Sequence, residues 1–162
     1  MITNYLSPIS FAISVERLPN VEFFTQRASI PGISMTPVEQ PSPLKMLYNT
    51  PDRLEYQEFE MSFIVDENMN NYKEVFNWME GIAFPDTNEQ FANLQESKFG
   101  LTSDITLLVQ NSNRNANIKF VFRDCFPINL SPIQLDVTNS DVVYPECSVT
   151  FRHNGFTFEK FS

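Results

Sequence analysis

Only four glycines occur in 162 residues, against eleven prolines. A phosphate-cradling loop needs several glycines within a few positions, so this scarcity argues against a nucleotide-binding enzyme. The prolines point instead to segmented strands and extended connections. Histidine occurs once, as His153, and cysteine twice, as Cys125 and Cys147. The cysteines form no Cys-x-x-Cys pair and have no histidine at ligand spacing, which speaks against a zinc site. No metal and no organic cofactor is expected. Positive charge is also scarce: 11 basic residues face 20 acidic ones, a net charge of −9. With no basic cluster to offset it, such a chain repels nucleic acid and anionic membrane. No stretch approaches the ~18 apolar residues of a membrane helix. Residues 1–8 lack a charged stretch followed by an apolar run, so no secretory signal is expected. The cysteines then belong to a reducing cytosol as free thiols.

Apolar material is plentiful. Hydrophobic residues make up 42% of the chain and phenylalanine alone occurs 16 times, which excludes a disordered composition. The length suits one domain, 1–162, with one core. Strict alternation dominates: Phe11, Ile13, Val15; Phe59, Met61, Phe63, Val65; Ile118, Phe120, Phe122; Cys147, Val149, Phe151. A period of two sends one set to a core and the other outward. Strands are expected near 9–18, 21–30, 58–66, 104–111, 118–126, 144–152 and 155–161. Asn154-Gly155 is a hairpin signal and is expected to join the last two strands antiparallel.

One segment changes period. Tyr72, Val75, Phe76 and Met79 recur at helical spacing, which predicts a helix over 69–82 with that stripe inward. Asn68, Asn70 or Asn71 can cap it, and Gly81 and Pro85 are expected to stop it. A weaker helix is expected over 87–96. Trp78 falls off the stripe and is assigned to core or flank packing. A platform for nucleic-acid bases would need basic surroundings. Asp66 and Glu67 sit between a strand and the helix. Such a pair can do acid–base work or bind a cation, but capping the helix start is the simpler role.

Ile30 to Pro43 reads as extended. Pro41 to Gln57 reads as a long loop carrying Leu44, Met46, Leu47 and Tyr48. A loop this long within a compact domain is usually functional. Its apolar residues either fold back on their own domain or dock on another chain. Catalysis has little support. His153 sits in the expected turn, where exposure is the default, and no nucleophile elbow surrounds any serine. A hydrolase pairing Cys125 or Cys147 with His153 remains open, as does a β-sandwich module binding carbohydrate or peptide.

The order of parts resembles a known family. A strand pair at Ile9–Leu18 and Val21–Ile30 is followed by an Ile-Pro-Gly-Ile break at Ile30–Ile33. A long loop with Pro51-Asp52-Arg53 comes next. A strand then ends in Phe-Ile-Val-Asp-Glu at Phe63–Glu67, and a helix spans Tyr72 to Ile82 with Trp78 inside it. This resembles the tail tube proteins of contractile phages, themselves similar to type VI secretion tube proteins. The resemblance implies a mainly β fold, an antiparallel sandwich or barrel flanked by a helix. It implies a non-enzymatic virion subunit, assembled in the host cytoplasm, whose hexameric rings stack into a tube. The 41–57 loop would reach a neighbour through Leu44, Met46, Leu47, Tyr48 and Arg53. Asp66, Glu67 and Trp78 match the family's strand-end acid pair and helix tryptophan, and with Tyr72 and Phe76 of the periodic stripe they would set the helix start and its packing. DNA would pass a lumen with acidic candidates Glu58, Glu60 and Glu146, without specific binding. Partners would be further copies, then sheath, baseplate or neck and tape measure proteins, with no membrane. The elaborate Ile30–Pro43 stretch and the long Phe84–Phe99 segment keep a baseplate initiator or a head-proximal terminator open as alternatives.

Overall fold

The computed structural model describes residues 5–83 and 86–161; Pro85 lies outside them. Strands β1 (Phe11–Ser14), β8 (Ser103–Gln110), β9 (Ala116–Leu130), β10 (Glu146–Arg152), β7 (Phe59–Ile64) and β2 (Thr25–Ser29) follow one another across a single antiparallel path. The 15-residue β9 is the spine. Its first half pairs with β8, and its second half pairs with β10, so it belongs to both halves of the fold. Asp124 sits at the bend with φ 52°, a backbone region that aspartate tolerates better than most residues. The Asp104 carboxylate accepts its N–H at 3.0 Å. The path ends in β1 and β2, which flank a crevice of about 300 Å³ lined by Phe11, Ala28 and Val109. No ladder joins these two strands among the described residues.

Alternation builds the core. Phe59, Met61 and Phe63 from β7 meet Cys147, Val149 and Phe151 from β10, with Ile105 and Leu107 from β8 and Phe122 from β9, all buried. The Phe59 and Phe122 rings lie 4.6 Å apart, centroid to centroid, across the interior. Helix α2 (Asn70–Ala83) contributes Val75 and Trp78, and α3 (Asn88–Glu96) covers α2 through Leu94.

Four expectations need correction. First, residues 21–24, expected as the start of a strand, belong to a short helix, α1 (Pro19–Phe24). Proline at the helix start is preorganised for that position, and Glu22 accepts the Val15 N–H at 3.0 Å. The Val21–Phe23 alternation masked this turn; Val21 is buried and Phe23 exposed.

Second, Asn154-Gly155 forms no hairpin. β10 and β11 (Phe156–Lys160) lie end to end along the same edge of β9, with Arg152 opposite Phe126 and Phe156 opposite Phe122. Asn154 N–H donates to the Arg123 carbonyl at 3.0 Å, and Arg123 N–H donates to the Gly155 carbonyl at 3.1 Å. Gly155, at φ 108°, supplies the bend between the two halves.

Third, the buried face of α2 is Asn71, Val75, Trp78 and Gly81. Phe76, expected inward, is 48% exposed, while Trp78 is 2% exposed. Tyr72 and Met79 are partly buried at the margin. The polar Asn71 hid this face: it is buried because its amide donates to the Ile64 carbonyl at 2.7 Å.

Fourth, Gly81 does not stop the helix, which runs on to Ala83. A Cβ there would lie 3.0 Å from Leu94 Cβ, so glycine allows the close approach of α3.

Candidate functional site

The segment expected as an extended stretch plus a loop is one two-stranded arm. Its base is β3 (Ile33–Ser34) paired with β6 (Glu55–Tyr56), and its upper part is β4 (Val38–Pro41) paired with β5 (Met46–Asn49). The tip is a tight turn, Ser42-Pro43-Leu44-Lys45. Ser42 N–H donates to the Lys45 carbonyl at 3.1 Å, and the Ser42 hydroxyl also bonds that carbonyl at 2.5 Å. Pro43 suits the second position of such a turn. Leu44 follows at the apex, 97% exposed. Met46 and Tyr48 share one face of the ribbon and Leu47 the other, and all three are exposed. Arg53 lies nearer the base, exposed, between β5 and β6. A two-stranded ribbon alone is marginal in water, and exposed apolar side chains on an unpaired edge invite association.

The arm is anchored by the residue expected to be an exposed turn histidine. His153 is 6% exposed. Its Nε2 lies 2.8 Å from the Gln57 carbonyl, at the foot of the arm, and its Nδ1 accepts the Gly155 N–H at 3.2 Å. That pair of contacts requires a neutral ring protonated at Nε2. Tyr56, Phe122 and Phe156 surround it edge-on or tilted, with centroids 5.3–6.0 Å away. A polar cleft of about 910 Å³ opens beside it, between the arm base and the β7–β10 face, lined by Ser34, Glu55, Glu60 and Thr150.

The three acidic candidates stand on that outward face. Glu58 meets Arg152 at 2.9 Å, and Glu146 meets Arg27 at 2.7 Å. Glu60 lies between them, opposite Ser29 and Thr150 in register. Two of the three carboxylates are therefore paired. The cations, Arg27 on β2 and Arg152 on β10, stand beside the apolar alternation of the core strands and carry no pattern of their own.

At the start of α2, Asp66 and Glu67 divide. The Asp66 carboxylate accepts the Asn71 N–H at 3.3 Å. Glu67 is exposed, and among the described residues its carboxylate has no hydrogen-bond partner. Trp78 donates its indole N–H to the Leu101 carbonyl at 2.9 Å, and Arg17 stacks 4.7 Å above its ring. One apolar surface was missed. Between β9 and β10, Leu135, Val137, Val142, Val143 and Tyr144 are exposed. They lack the periodicity of strand or helix, so no pattern drew notice.

The chemistry of these groups opposes catalysis. Burial pushes the Cys125 thiol up to about 12, and burial likewise raises Cys147. A nucleophilic thiol needs the opposite shift. Both His153 nitrogens are occupied by backbone groups, so it cannot serve either cysteine as a base. No cluster of three or more metal-ligating side chains occurs among the described residues.

Comparison with solved structures places the fold. The chain is similar to a protein in the sixfold-symmetrised baseplate of the anti-feeding prophage (TM-score 0.67, 11% identity, 98% of this chain and 97% of that one). It is similar to one in the tube-terminating cap of the same particle (0.64, 13%, 99% and 95%). A third likeness is to a chain in the sheath–tube complex of the extracellular contractile injection system PVC (0.67, 15%, 97% and 93%). Hcp1 from Flavobacterium johnsoniae is more distant (0.51, 10%, 97% and 98%). No curated protein matches by sequence. The family comparison is decisive in extent, covering residues 3–159. With a mainly β antiparallel fold and its projecting arm, this chain belongs to the phage tail tube protein family.

Proposed function

We propose that the chain is a non-enzymatic, one-domain subunit that assembles with its own copies into rings, six to a ring, stacked as the inner tube of a contractile tail. The single observation that carries this is the arm. Leu44, Met46, Leu47 and Tyr48 stand exposed on a ribbon that its own body leaves uncovered. Family membership supports the same reading, and the sixfold baseplate of one structural relative supports the ring number. Sheath, baseplate or neck and tape measure proteins are the proposed further partners, in a particle assembled in the host cytoplasm. The acid surplus suits a conduit that DNA traverses without adhering. Of the three candidate acids on the β7–β10 face, Glu60 is the one without an ion pair among the described residues, and it is the acid for that role. Glu60→Lys is expected to slow ejection and spare assembly; unchanged ejection would remove this face from the lumen.

A second reading, a tube initiator or terminator, is favoured by one observation. The cap and baseplate proteins resemble this chain about as closely as the tube-complex protein does, with TM-scores of 0.64, 0.67 and 0.67. A terminator would form one ring and stop, whereas a tube subunit polymerises.

The test is sedimentation of the double variant Leu47→Glu, Tyr48→Glu beside the parent. A folded monomer is expected from the variant and rings or tubes from the parent. Rings from both would refute the arm's role.

A further inference from the structure

A crevice of about 760 Å³ lies beside the start of α2, walled by Phe24, Ile64, Ile133, Leu135, Tyr144 and Pro145. Asp66 and Glu67 stand on its lip. Resting on the arm reading above, we propose that this crevice receives the arm tip of a second copy. Leu44 enters it and Lys45 faces Asp66 and Glu67.

Three observations select this occupant. The tip turn presents one apolar knob, Leu44, directly beside one cation, Lys45; the only other charged residue of 38–49 is Glu39. The crevice presents the complement, an apolar hollow beside two carboxylates, and Glu67, exposed just ahead of α2, has no hydrogen bond or ion pair among the described residues. The chain's own arm does not fill it, because β4 and β5 pack against each other rather than against the body. Ser42 at the tip lies eight positions beyond Ser34 at the base, so the arm spans about 26 Å at ~3.3 Å per residue. That reach suits a neighbouring molecule. Knob and hollow are different surfaces of one chain, so the contact is heterologous: it repeats head to tail, closing as a ring or continuing as a stack.

The test uses the full chain. Leu44→Asp, Lys45→Glu and Glu67→Lys are compared with the charge-swapped pair Lys45→Glu/Glu67→Lys by sedimentation across concentration, with circular dichroism as the check on folding. Asp66 is left alone because it bonds the helix start. Each single variant is expected to raise the assembly midpoint about tenfold or more, since like charges face each other across the contact. The charge-swapped pair is expected to recover most of that loss. Separately, tagged Leu44→Cys protein is mixed with untagged Leu135→Cys protein and oxidised. The native thiols are buried, so a mixed disulfide dimer is expected. If Leu44→Asp blocks assembly while neither the charge swap nor the mixed disulfide appears, the crevice is not the receptor and the arm reading stands. If Leu44→Asp assembles like the parent, the arm reading itself is overturned.

Discussion

Replacing His153 with phenylalanine isolates the link between arm and body. The substitution keeps a ring among Tyr56, Phe122 and Phe156 and removes only the two polar contacts. One is the Nε2–H bond to the Gln57 carbonyl at 2.8 Å; the other is the Gly155 N–H bond into Nδ1 at 3.2 Å. A buried polar group left without its partner costs ~1–3 kcal/mol. Gln57 is exposed at the arm's foot, so its carbonyl regains water and falls at the lower end. Gly155 N–H is enclosed and falls higher. The sum is roughly 2–4 kcal/mol, against ~5–15 kcal/mol for a typical domain, so the variant still folds. Urea unfolding followed by Trp78 fluorescence measures it, with an unchanged slope certifying the same transition. Proteolysis within 33–57 is expected to quicken in parallel, because the foot of the arm has lost its tether. His153→Gln, which can still donate to Gln57, is expected to regain part of the loss. A change below ~0.5 kcal/mol with an equally protected arm would refute the reasoning.

Other expectations are simpler. Trp78→Phe keeps most of the buried ring and loses the indole bond to the Leu101 carbonyl; Leu101 is exposed, so that carbonyl regains water and the cost by thermal unfolding falls at the lower end, ~1 kcal/mol. Cys125 and Cys147 should resist alkylation at pH 8 until the chain unfolds, and rapid labelling of the native protein would contradict their burial. Because the Cys125 thiol is held near 12 in the fold, the unfolded chain loses its proton first. Stability should therefore fall as pH rises from about 9 toward 12, in urea titrations at fixed temperature. Arg27→Ala removes an exposed pair with Glu146 and should change stability by under ~1 kcal/mol.

The core strands were legible because each has one face on a shared interior, and a period of two is then enforced along Phe59–Ile64 and Glu146–Arg152. The order of elements, ending in the family resemblance, was legible for the same reason. Three features were hidden by physics that pattern does not carry. The arm's two strands bury nothing in their own chain, so their pairing left no alternation. α1 is shorter than two helical turns and borrowed its look from a strand. The Asn-Gly bend serves a strand that crosses between two halves, and only the length of β9 reveals that the opposite edge is free to take both β10 and β11. At the site, Leu44 to Tyr48 stood out by composition, whereas His153 took its role from burial, which one isolated histidine in a turn does not announce.

Electron microscopy of the purified protein tests self-assembly most directly. Class averages of the parent should contain sixfold rings or stacked tubes, and Leu47→Glu/Tyr48→Glu should yield only single particles of about the chain's mass. A parent that stays a dispersed monomer at high concentration would contradict the account.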